Sequence, residues 1–245
     1  DPVVQVSGGT CYGFDFKNGK YDFSSYREVL QLFREMYSTG VAFPGSESLD
    51  IDPLRTQFAA GNIAFYFSLS HAEPGVYQSQ FPTDINWNCC QIPSLSGNTD
   101  GVQNLWFGGS DKAINASTKH PDEAWKVMEF LHSDEVMGPY YTAGLGTVMI
   151  KSAVEGAEPP ASIETMPDLA IGANDQNWPI RPAISIEGED YSTVAVQCIF
   201  GLKDIDQAIS ELNDRYNNAY DKLVADGAKR IVYPNFTAKN QDTSV

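Results

Sequence analysis

Residues 52–71 read DPLRTQFAAGNIAFYFSLSH and contain, in order, the signals of a helix, a helix stop, a buried strand and a polar strand end. Asp52 is a good N-cap and Pro53 suits the first helical position, while Gly61 ends the helix because glycine adopts the left-handed conformation at little cost. Residues 63–67 are all apolar or aromatic. This run predicts a strand that is covered on both faces, as in the sheet of an α/β protein.

The predicted strand ends in polar residues, namely Ser68, Ser70 and His71. An open α/β sheet binds its ligands in the crevice beyond the carboxyl ends of its strands, so these side chains are candidate ligand contacts. An ordinary exit from a strand into a loop would give the same pattern, and the stretch alone does not separate the two interpretations.

Length and composition limit the class of protein. The chain has 245 residues, of which 42% are hydrophobic, enough for one large or two small domains with a substantial core. Its 32 acidic and 16 basic residues give a net charge of −16, which repels phosphate backbones and excludes nucleic acid as an expected partner. No run of eighteen apolar residues is present, and the chain begins at Asp1 without an initiator methionine or signal peptide, so we expect a fragment or a processed product.

The four cysteines are Cys11, Cys89, Cys90 and Cys198. Neighbouring residues on a strand point to opposite faces, so Cys89 and Cys90 suit neither a Cys-x-x-Cys redox pair nor a zinc site. We interpret the cysteines as small buried hydrophobic residues, with a disulfide between Cys11 and Cys198 left open. The spacing of histidine, cysteine and acidic residues predicts no metal site, and the sequence predicts no cofactor.

Other segments have clear secondary-structure signals. Apolar residues at helical spacing, with capping and stop residues at their ends, predict several helices, and short apolar runs predict further strands. The predicted helices are Ser24 or Ser25 to about Ser38, Ala72–Phe81, Pro121–Leu131, a helix capped by Ser133, Tyr191–Phe200 and Asp204–Asp226; the predicted strands are Ile85–Ile92, Asp111–Asn115 and two strands joined at Asn18-Gly19. The polar tail from Pro234 is expected to be frayed.

The polar loop after Pro93 leads to Trp106, Phe107, Gly108 and Gly109. Two glycines after an aromatic pair allow the backbone to approach another group closely. That group is either a neighbouring strand or a ligand.

Four segments, in this order, resemble the maltose-binding-protein-like extracellular solute-binding proteins of ABC importers (sugar-binding family 1), in their C-terminal portion. They are MYSTGVAFP, FAAGNIAFYF, FGGSDKAINASTKHPDEAWKVMEFLHSDE and GLKDIDQAISELNDRYNNAYDKL. The third, with its glycine pair, strand and Ala-Trp helix, is the most specific.

The resemblance implies a periplasmic-binding-protein-like α/β fold of type II, with two lobes and a ligand in the cleft between them. It assigns residues 1–106 and 153–245 to the C-terminal lobe and residues 107–152 to an excursion into the N-terminal lobe. It also implies non-catalytic binding of a mono- or oligosaccharide, without a cofactor, for delivery to an importer permease. The location would be periplasmic or extracellular, with any membrane contact made through a lipid anchor outside this chain.

The resemblance also bears on the site, because His71 and Gly188 stand where the family often has aromatic residues. Sugar sites combine aromatic faces with a few polar groups. Trp106 is therefore the first aromatic candidate, with Tyr191 and Trp178 as further ones. The acidic residues Glu187, Glu189 and Asp190 are either a solvated helix start or hydrogen-bond acceptors for hydroxyls. The predicted ligand-binding residues are Ser68, Ser70, His71, Trp106, Gly108, Gly109, Glu187 and Tyr191.

Two alternatives compete with a transport protein. A glycoside hydrolase needs only two carboxylates across a cleft, and acidic residues are plentiful. The sequence has no Gly-x-Ser-x-Gly elbow, phosphate loop, dinucleotide fingerprint or zinc signature. A sensor or adhesin module on the same fold is the second alternative.

Overall fold

The computed structural model describes residues 2–67, 73–88, 92–97, 104–105, 112–145, 148, 150–158, 175–176 and 178–244. The chain divides into two compact units. Unit 1 comprises Asp1–Pro44, Gln91–Phe107 and Ala173–Val245, and unit 2 comprises Gly45–Cys90 and Gly108–Gly172. The assignment of residues 1–106, 107–152 and 153–245 to two lobes stays a prediction.

The elements follow in chain order, with two 3₁₀ helices at Ser24–Tyr26 and Ser46–Ser48. They are α1 (Pro2–Val6), β1 (Phe14–Asp15), β2 (Lys20–Tyr21), α2 (Arg27–Ser38), α3 (Ile51–Ala59), α4 (Glu73–Ser79), β3 (Asn104–Leu105), α5 (Pro121–Leu131), α6 (Asp134–Thr142), α7 (Lys151–Val154), β4 (Asp175–Gln176), α8 (Tyr191–Ile199) and α9 (Ile205–Ala225). In unit 1, β1 pairs with β2 antiparallel and β3 pairs with β4 parallel.

The turn predicted at Asn18-Gly19 joins two strands, as expected. Phe14 lies opposite Tyr21 in the β1–β2 pair. The Asp15 carboxylate accepts hydrogen bonds from the backbone N–H groups of Lys17 and Asn18 at 2.9 and 3.1 Å, and Gly19 adopts a φ of +63°. These local bonds fix the tight return of the chain.

The core of unit 1 is built around α9, whose predicted apolar stripe is confirmed. Ile205, Ala208, Ile209, Leu212 and Tyr216 are buried, and Tyr220 continues the same face. They pack with the aromatic rings of residues 14–26, chiefly Phe14, Phe16, Tyr21, Phe23 and Tyr26, and with α2 and α8. Phe236 is also buried in this core, so the expectation of a frayed tail from Pro234 is wrong at this position.

Two asparagines of α9 hold the hairpin segment against the helix. Asn217 Oδ1 accepts the Tyr21 N–H at 2.9 Å, and Asn213 Oδ1 accepts the Phe23 N–H at 2.8 Å. Asn217 Nδ2 also donates to the Tyr21 carbonyl at 2.8 Å. Since Asn213 and Asn217 are four residues apart, both lie on the same helix face and satisfy backbone groups that leave the β1–β2 ladder.

Cys11 and Cys198 are buried in the unit 1 core and form no disulfide with each other. Burial raises the pKa of the Cys198 thiol. Of the two possibilities that the sequence left open, the structure has the reduced pair. Cys89 and Cys90 lie outside the described residues.

Unit 2 contains residues 52–71, the segment with the predicted helix, strand and polar strand end. Its helix α3 starts at Ile51, with Asp50 rather than Asp52 at the N-cap position, and Gly61 ends it with a φ of +78° as expected. The predicted strand at residues 63–67 is wrong: this segment has no strand assignment, and Phe65 is 64% exposed. An apolar run becomes a strand only where a partner strand bonds to it, and no described residue pairs with this run.

Two further predicted strands are wrong in the part that the structure describes. Residues 85–88 and 112–115 carry no strand assignment. Helices α4, α5 and α6 were predicted correctly, because capping and helical spacing are local signals. On α5, Ala124, Met128 and Leu131 of the apolar stripe are half-buried, whereas Trp125, Val127 and Phe130 are each more than half exposed.

Buried polar groups link α3 and α4 within unit 2. Glu73 is 2% exposed and accepts hydrogen bonds from Arg55 Nη2 at 2.6 Å and Nε at 3.0 Å. The hydroxyl of Tyr66 donates to the same carboxylate at 2.8 Å and lies 2.9 Å from the hydroxyl of Tyr77. The bond to Glu73 raises the pKa of Arg55, and burial raises the pKa of Tyr66, so both groups stay protonated.

Among the helices that the structure describes, none combines the length and apolar character needed to cross a membrane. Within the same residues, histidine, cysteine and acidic side chains form no group that could hold a metal ion.

Candidate functional site

The structure describes two of the eight predicted ligand-binding residues. Ser68, Ser70, His71, Trp106, Gly108 and Gly109 lie outside the described residues. Glu187 and Tyr191 belong to unit 1, where they flank the loop that leads into α8. The candidate site is therefore built from this loop outward.

Asp190 is the N-cap of α8. Its carboxylate accepts the Thr193 N–H at 2.8 Å and the Ser192 hydroxyl at 2.9 Å. The hydrogen bond from the Thr193 backbone is the main reason that the pKa of Asp190 lies below its usual range. For Asp190, the interpretation as a helix start is the correct one.

Glu189 also has a structural role. Its carboxylate accepts hydrogen bonds from Lys203 Nζ at 2.8 Å and from Gln197 Nε2 at 2.6 Å. The bond from Lys203 is the largest of the effects that lower the pKa of Glu189. This carboxylate therefore joins the loop to Gln197 of α8 and to Lys203 in the turn that follows α8.

Glu187 differs from its two acidic neighbours. Its backbone carbonyl accepts a hydrogen bond from Arg215 Nη1 at 3.0 Å, which holds the loop to α9. Its side chain is exposed, and the carboxylate makes no hydrogen bond or ion pair with the part of the chain that the structure describes. Of the acidic trio, Glu187 is thus the member whose carboxylate has its full capacity to accept hydrogen bonds.

Tyr191 is held firmly by the core of unit 1. Its backbone N–H donates to the hydroxyl of Tyr216 at 3.0 Å. Its half-buried ring stacks on Phe23, with centroids 5.8 Å apart, and meets Tyr12 edge-on at 6.1 Å. Burial raises the pKa of Tyr216, although the bond from Tyr191 acts in the opposite direction.

The structure adds Arg181 to the candidate site, although it is not one of the ligand-binding residues predicted from the sequence. Its guanidinium lies 4.2 Å from the centroid of the Tyr12 ring, in a cation–π contact. The chain has six arginines, all of them described, and the other five donate to carboxylate or carbonyl oxygens. Arg181 donates no hydrogen bond to the described part of the chain. Arg181 is thus the one arginine whose donors have no acceptor among the described residues.

Tyr12 has an unusual backbone. Its φ of +50° lies in the left-handed region, which glycine adopts readily but residues with large side chains rarely adopt. Strained residues of this kind are concentrated at binding sites, where the surrounding structure holds them in place. The Tyr12 ring contacts both Arg181 and Tyr191. We call these three residues, together with Glu187 from the loop before α8, the tyrosine–arginine cluster.

Sequence signals for the two added residues are weak but identifiable. Arg181 stands in the segment Pro-Ile-Arg-Pro, where two prolines restrict the backbone, and Tyr12 directly precedes Gly13. Neither signal shows that the two residues meet, because they are far apart in the chain. The pairing is visible only in the folded unit.

The cluster offers both kinds of group that a polyhydroxylated ligand needs. The tyrosine rings supply flat apolar surface, Arg181 supplies donors and Glu187 supplies acceptors. These are groups that can bind a ligand through apolar contact and hydrogen bonds.

Comparisons with known proteins agree with this chemistry. The family model of the bacterial extracellular solute-binding proteins matches residues 2–138. Among solved structures, the sugar-binding protein MalE from the phytopathogen Xanthomonas citri is similar to the chain, with a TM-score of 0.57 and 18% sequence identity over 93% of this chain. The chain spans 57% of the length of that MalE chain. The likeness shows the fold and confirms the predicted periplasmic-binding-protein-like α/β fold of type II.

Proposed function

The chain belongs to the bacterial extracellular solute-binding protein family, and from this we propose that it binds a carbohydrate, leaves it chemically unchanged and delivers it to the permease of an ABC importer. The similarity to the sugar-binding protein MalE supports a carbohydrate as the ligand class. The proposed location is the periplasm or the cell surface, where a lipid anchor outside this chain would hold the protein.

The tyrosine–arginine cluster is the observation that carries the proposal. Arg181 lies over the Tyr12 ring, and neither its donors nor the exposed Glu187 carboxylate has a hydrogen-bond partner among the residues that the structure describes. A sugar has vicinal hydroxyls that both donate and accept, so it satisfies both groups at once. The neighbouring acids Glu189 and Asp190 are already bonded within the protein and would not compete for the ligand.

Ser68, Ser70, His71, Trp106, Gly108 and Gly109 remain proposed contacts from the sequence. An interlobe position of the ligand likewise remains a prediction of the resemblance. The cluster of unit 1 is proposed as one part of the binding site.

Calorimetric titration with a panel of mono- and oligosaccharides tests the proposal. We expect at least one sugar to bind and Arg181→Gln and Glu187→Gln to weaken its binding by about 10-fold each, as for hydrogen bonds to charged groups. Arg27→Gln and Glu28→Gln are matched controls on the surface of α2 and should leave the affinity unchanged. Unaltered affinity in both cluster variants would remove the cluster from the site.

Analysis of the sugar after incubation separates binding from catalysis. An intact sugar after prolonged incubation supports a transport protein, whereas cleaved glycosidic bonds would support the alternative of a glycoside hydrolase. A sensor or adhesin module would also leave the sugar intact. Loss of sugar uptake in a deletion strain, restored by the wild-type gene, would favour the importer over those modules.

A further inference from the structure

Unit 1 has a groove of about 670 Å³ that the tyrosine–arginine cluster does not use. It lies between the Ser7–Thr10 loop, the β1–β2 turn and residues 237–239, with Trp178 in its wall. Tyr12, Arg181, Glu187 and Tyr191 are not among the residues that line it. We call it the Trp178 groove. Its volume lies in the range of about 300–1,000 Å³ that is typical of small-molecule sites.

Trp178 has a buried hydrogen-bond donor for which the described residues supply no acceptor. Its ring packs on Phe236 and Phe16, with centroid distances of 5.6 and 6.2 Å, which fixes the indole in the wall. Its Nε1–H is buried and has no acceptor in the part of the chain that the structure describes. Buried indole N–H groups nearly always have a partner, and the indole that carries this one lines the groove.

The groove is also lined by two hydroxyls that are held in position, those of Thr10 and Ser25. The hydroxyl of Thr10 donates to the Asp22 carbonyl at 3.1 Å and lies 3.3 Å from the Ser25 hydroxyl. Each hydroxyl oxygen has two lone pairs, so both keep capacity for a further hydrogen bond. At Gly8, a Cβ atom would find no atom within 4 Å, so the backbone there is open to an approaching molecule.

The formal charges of the lining residues cancel. Asp15 and Asp22 carry two negative charges, and Lys17 and Lys239 carry two positive charges. The Asp15 carboxylate is moreover engaged by the backbone of the β1–β2 turn. A balanced groove gives neither an anion nor a cation a net attraction, and its fixed groups are suited to the hydroxyls of a neutral molecule.

We propose that the Trp178 groove is a second ligand site, for a neutral sugar or polyol of mono- to disaccharide size. A hydroxyl oxygen of the ligand accepts the Trp178 Nε1–H, and the hydroxyls of Thr10 and Ser25 bind its other side. This site lies within unit 1 and does not depend on the tyrosine–arginine cluster.

The indole N–H signals in ¹H–¹⁵N NMR spectra test this site directly. The chain has four tryptophans, so four indole signals are expected, and single Trp→Phe variants assign them. Glucose, maltose and glycerol are added to the full chain up to saturating millimolar concentrations. We expect one of them to move the Trp178 indole proton downfield, because hydrogen bonding deshields it, and to leave the Trp87 and Trp125 signals in place.

Calorimetry on Trp178→Phe provides the second measurement. This change removes the N–H and keeps an aromatic ring, so binding to the groove should weaken by about 2- to 13-fold, the range for one hydrogen bond. Trp87→Phe, at a half-buried tryptophan of unit 2, is the matched control and should not change the affinity. If Trp178→Phe fails to fold, variants of the other three tryptophans still assign the wild-type Trp178 signal.

The outcomes separate the two sites. In the first outcome, a sugar binds the wild type, its binding is lost in Arg181→Gln, and the Trp178 signal does not move. This result overturns the groove proposal and supports the proposed function. A sugar that shifts the Trp178 signal and binds Arg181→Gln as tightly as the wild type supports the groove and counts against the cluster. A free-state Trp178 indole proton that exchanges rapidly with water would show that solvent already supplies the acceptor, and would also overturn the groove proposal.

Discussion

Replacing Glu73 by glutamine should destabilise unit 2 far more than an ordinary surface change would. The Glu73 carboxylate is buried, and its hydrogen bonds include two from Arg55 and one from Tyr66. Glutamine keeps one acceptor oxygen and presents an NH₂ group to donors. The Arg55 guanidinium, whose side chain is only 14% exposed, would then keep Asp52 as its charged partner.

The magnitude follows from the burial of the ion pair. Removing one partner of a buried pair costs about 3–5 kcal/mol, because the remaining charge is left without compensation. Glutamine retains part of the hydrogen bonding, so we expect about 3 kcal/mol, the low end of this range. A typical domain has only about 5–15 kcal/mol of total stability, so the change is a large fraction.

Hydrogen exchange measured by mass spectrometry is the suitable assay, because it reports on each unit by itself. A loss of about 3 kcal/mol corresponds to exchange that is on the order of 10²-fold faster. We expect this acceleration in peptides from α3 and α4, which the Arg55–Glu73 pair joins, and no change in peptides from α9 of unit 1.

Two variants make the result decisive. Glu189→Gln breaks an exposed ion pair with Lys203 and should leave exchange in α3 and α4 unchanged. The double variant Arg55→Met with Glu73→Leu removes both charges and should be less destabilised than Glu73→Gln, because no buried charge is left alone. Unaltered exchange of α3 and α4 in Glu73→Gln would refute the reasoning.

Three further predictions concern unit 1. Burial raises the pKa of Tyr21 to about 12, so this tyrosine ionises in the unfolded chain at a lower pH than in the folded one. About 2–3 kcal/mol of stability should therefore be lost as the pH rises from 10 to 12. Urea melts at pH 8 and 11 should show a smaller loss of stability in Tyr21→Phe than in the wild type. Cys11 and Cys198 are buried thiols, so alkylation followed by peptide mass spectrometry should label them only in denaturant, and rapid native labelling would contradict their burial. Asp204 caps α9 by accepting the Gln207 N–H at 3.0 Å, so Asp204→Ala should cost about 1 kcal/mol in urea melts and Asp204→Asn much less.

Helices were predicted from the sequence far better than strands, for a physical reason. The limits of α5 and the apolar stripe of α9 follow from residues within one segment, through capping and helical spacing. A strand exists only beside a partner, and the run at residues 63–67 contains no information about whether one is present. In the folded unit its Tyr66 instead reaches the buried Glu73 carboxylate.

The candidate site was predictable only in part. Glu187 and Tyr191 could be selected from the sequence, because an acidic cluster before an aromatic helix start is a visible pattern. Only the hydrogen bonds distinguish Glu187 from Glu189 and Asp190, whose carboxylates are bonded within the protein. The contact between Arg181 and Tyr12 joins distant segments, and such long-range pairs leave no signal in a single sequence.

The helices of unit 1 determine where the tyrosine–arginine cluster lies. Tyr191 begins α8 and donates its N–H to Tyr216 of α9, while Arg215, also on α9, holds the Glu187 carbonyl. Consecutive residues of one long helix thus fix both sides of the loop that carries Glu187 and Tyr191. Because α9 also supplies much of the buried core, the position of these groups is set by core packing rather than by the loop itself. A site held in this way needs little ordering when a ligand arrives, which keeps the entropic cost of binding low.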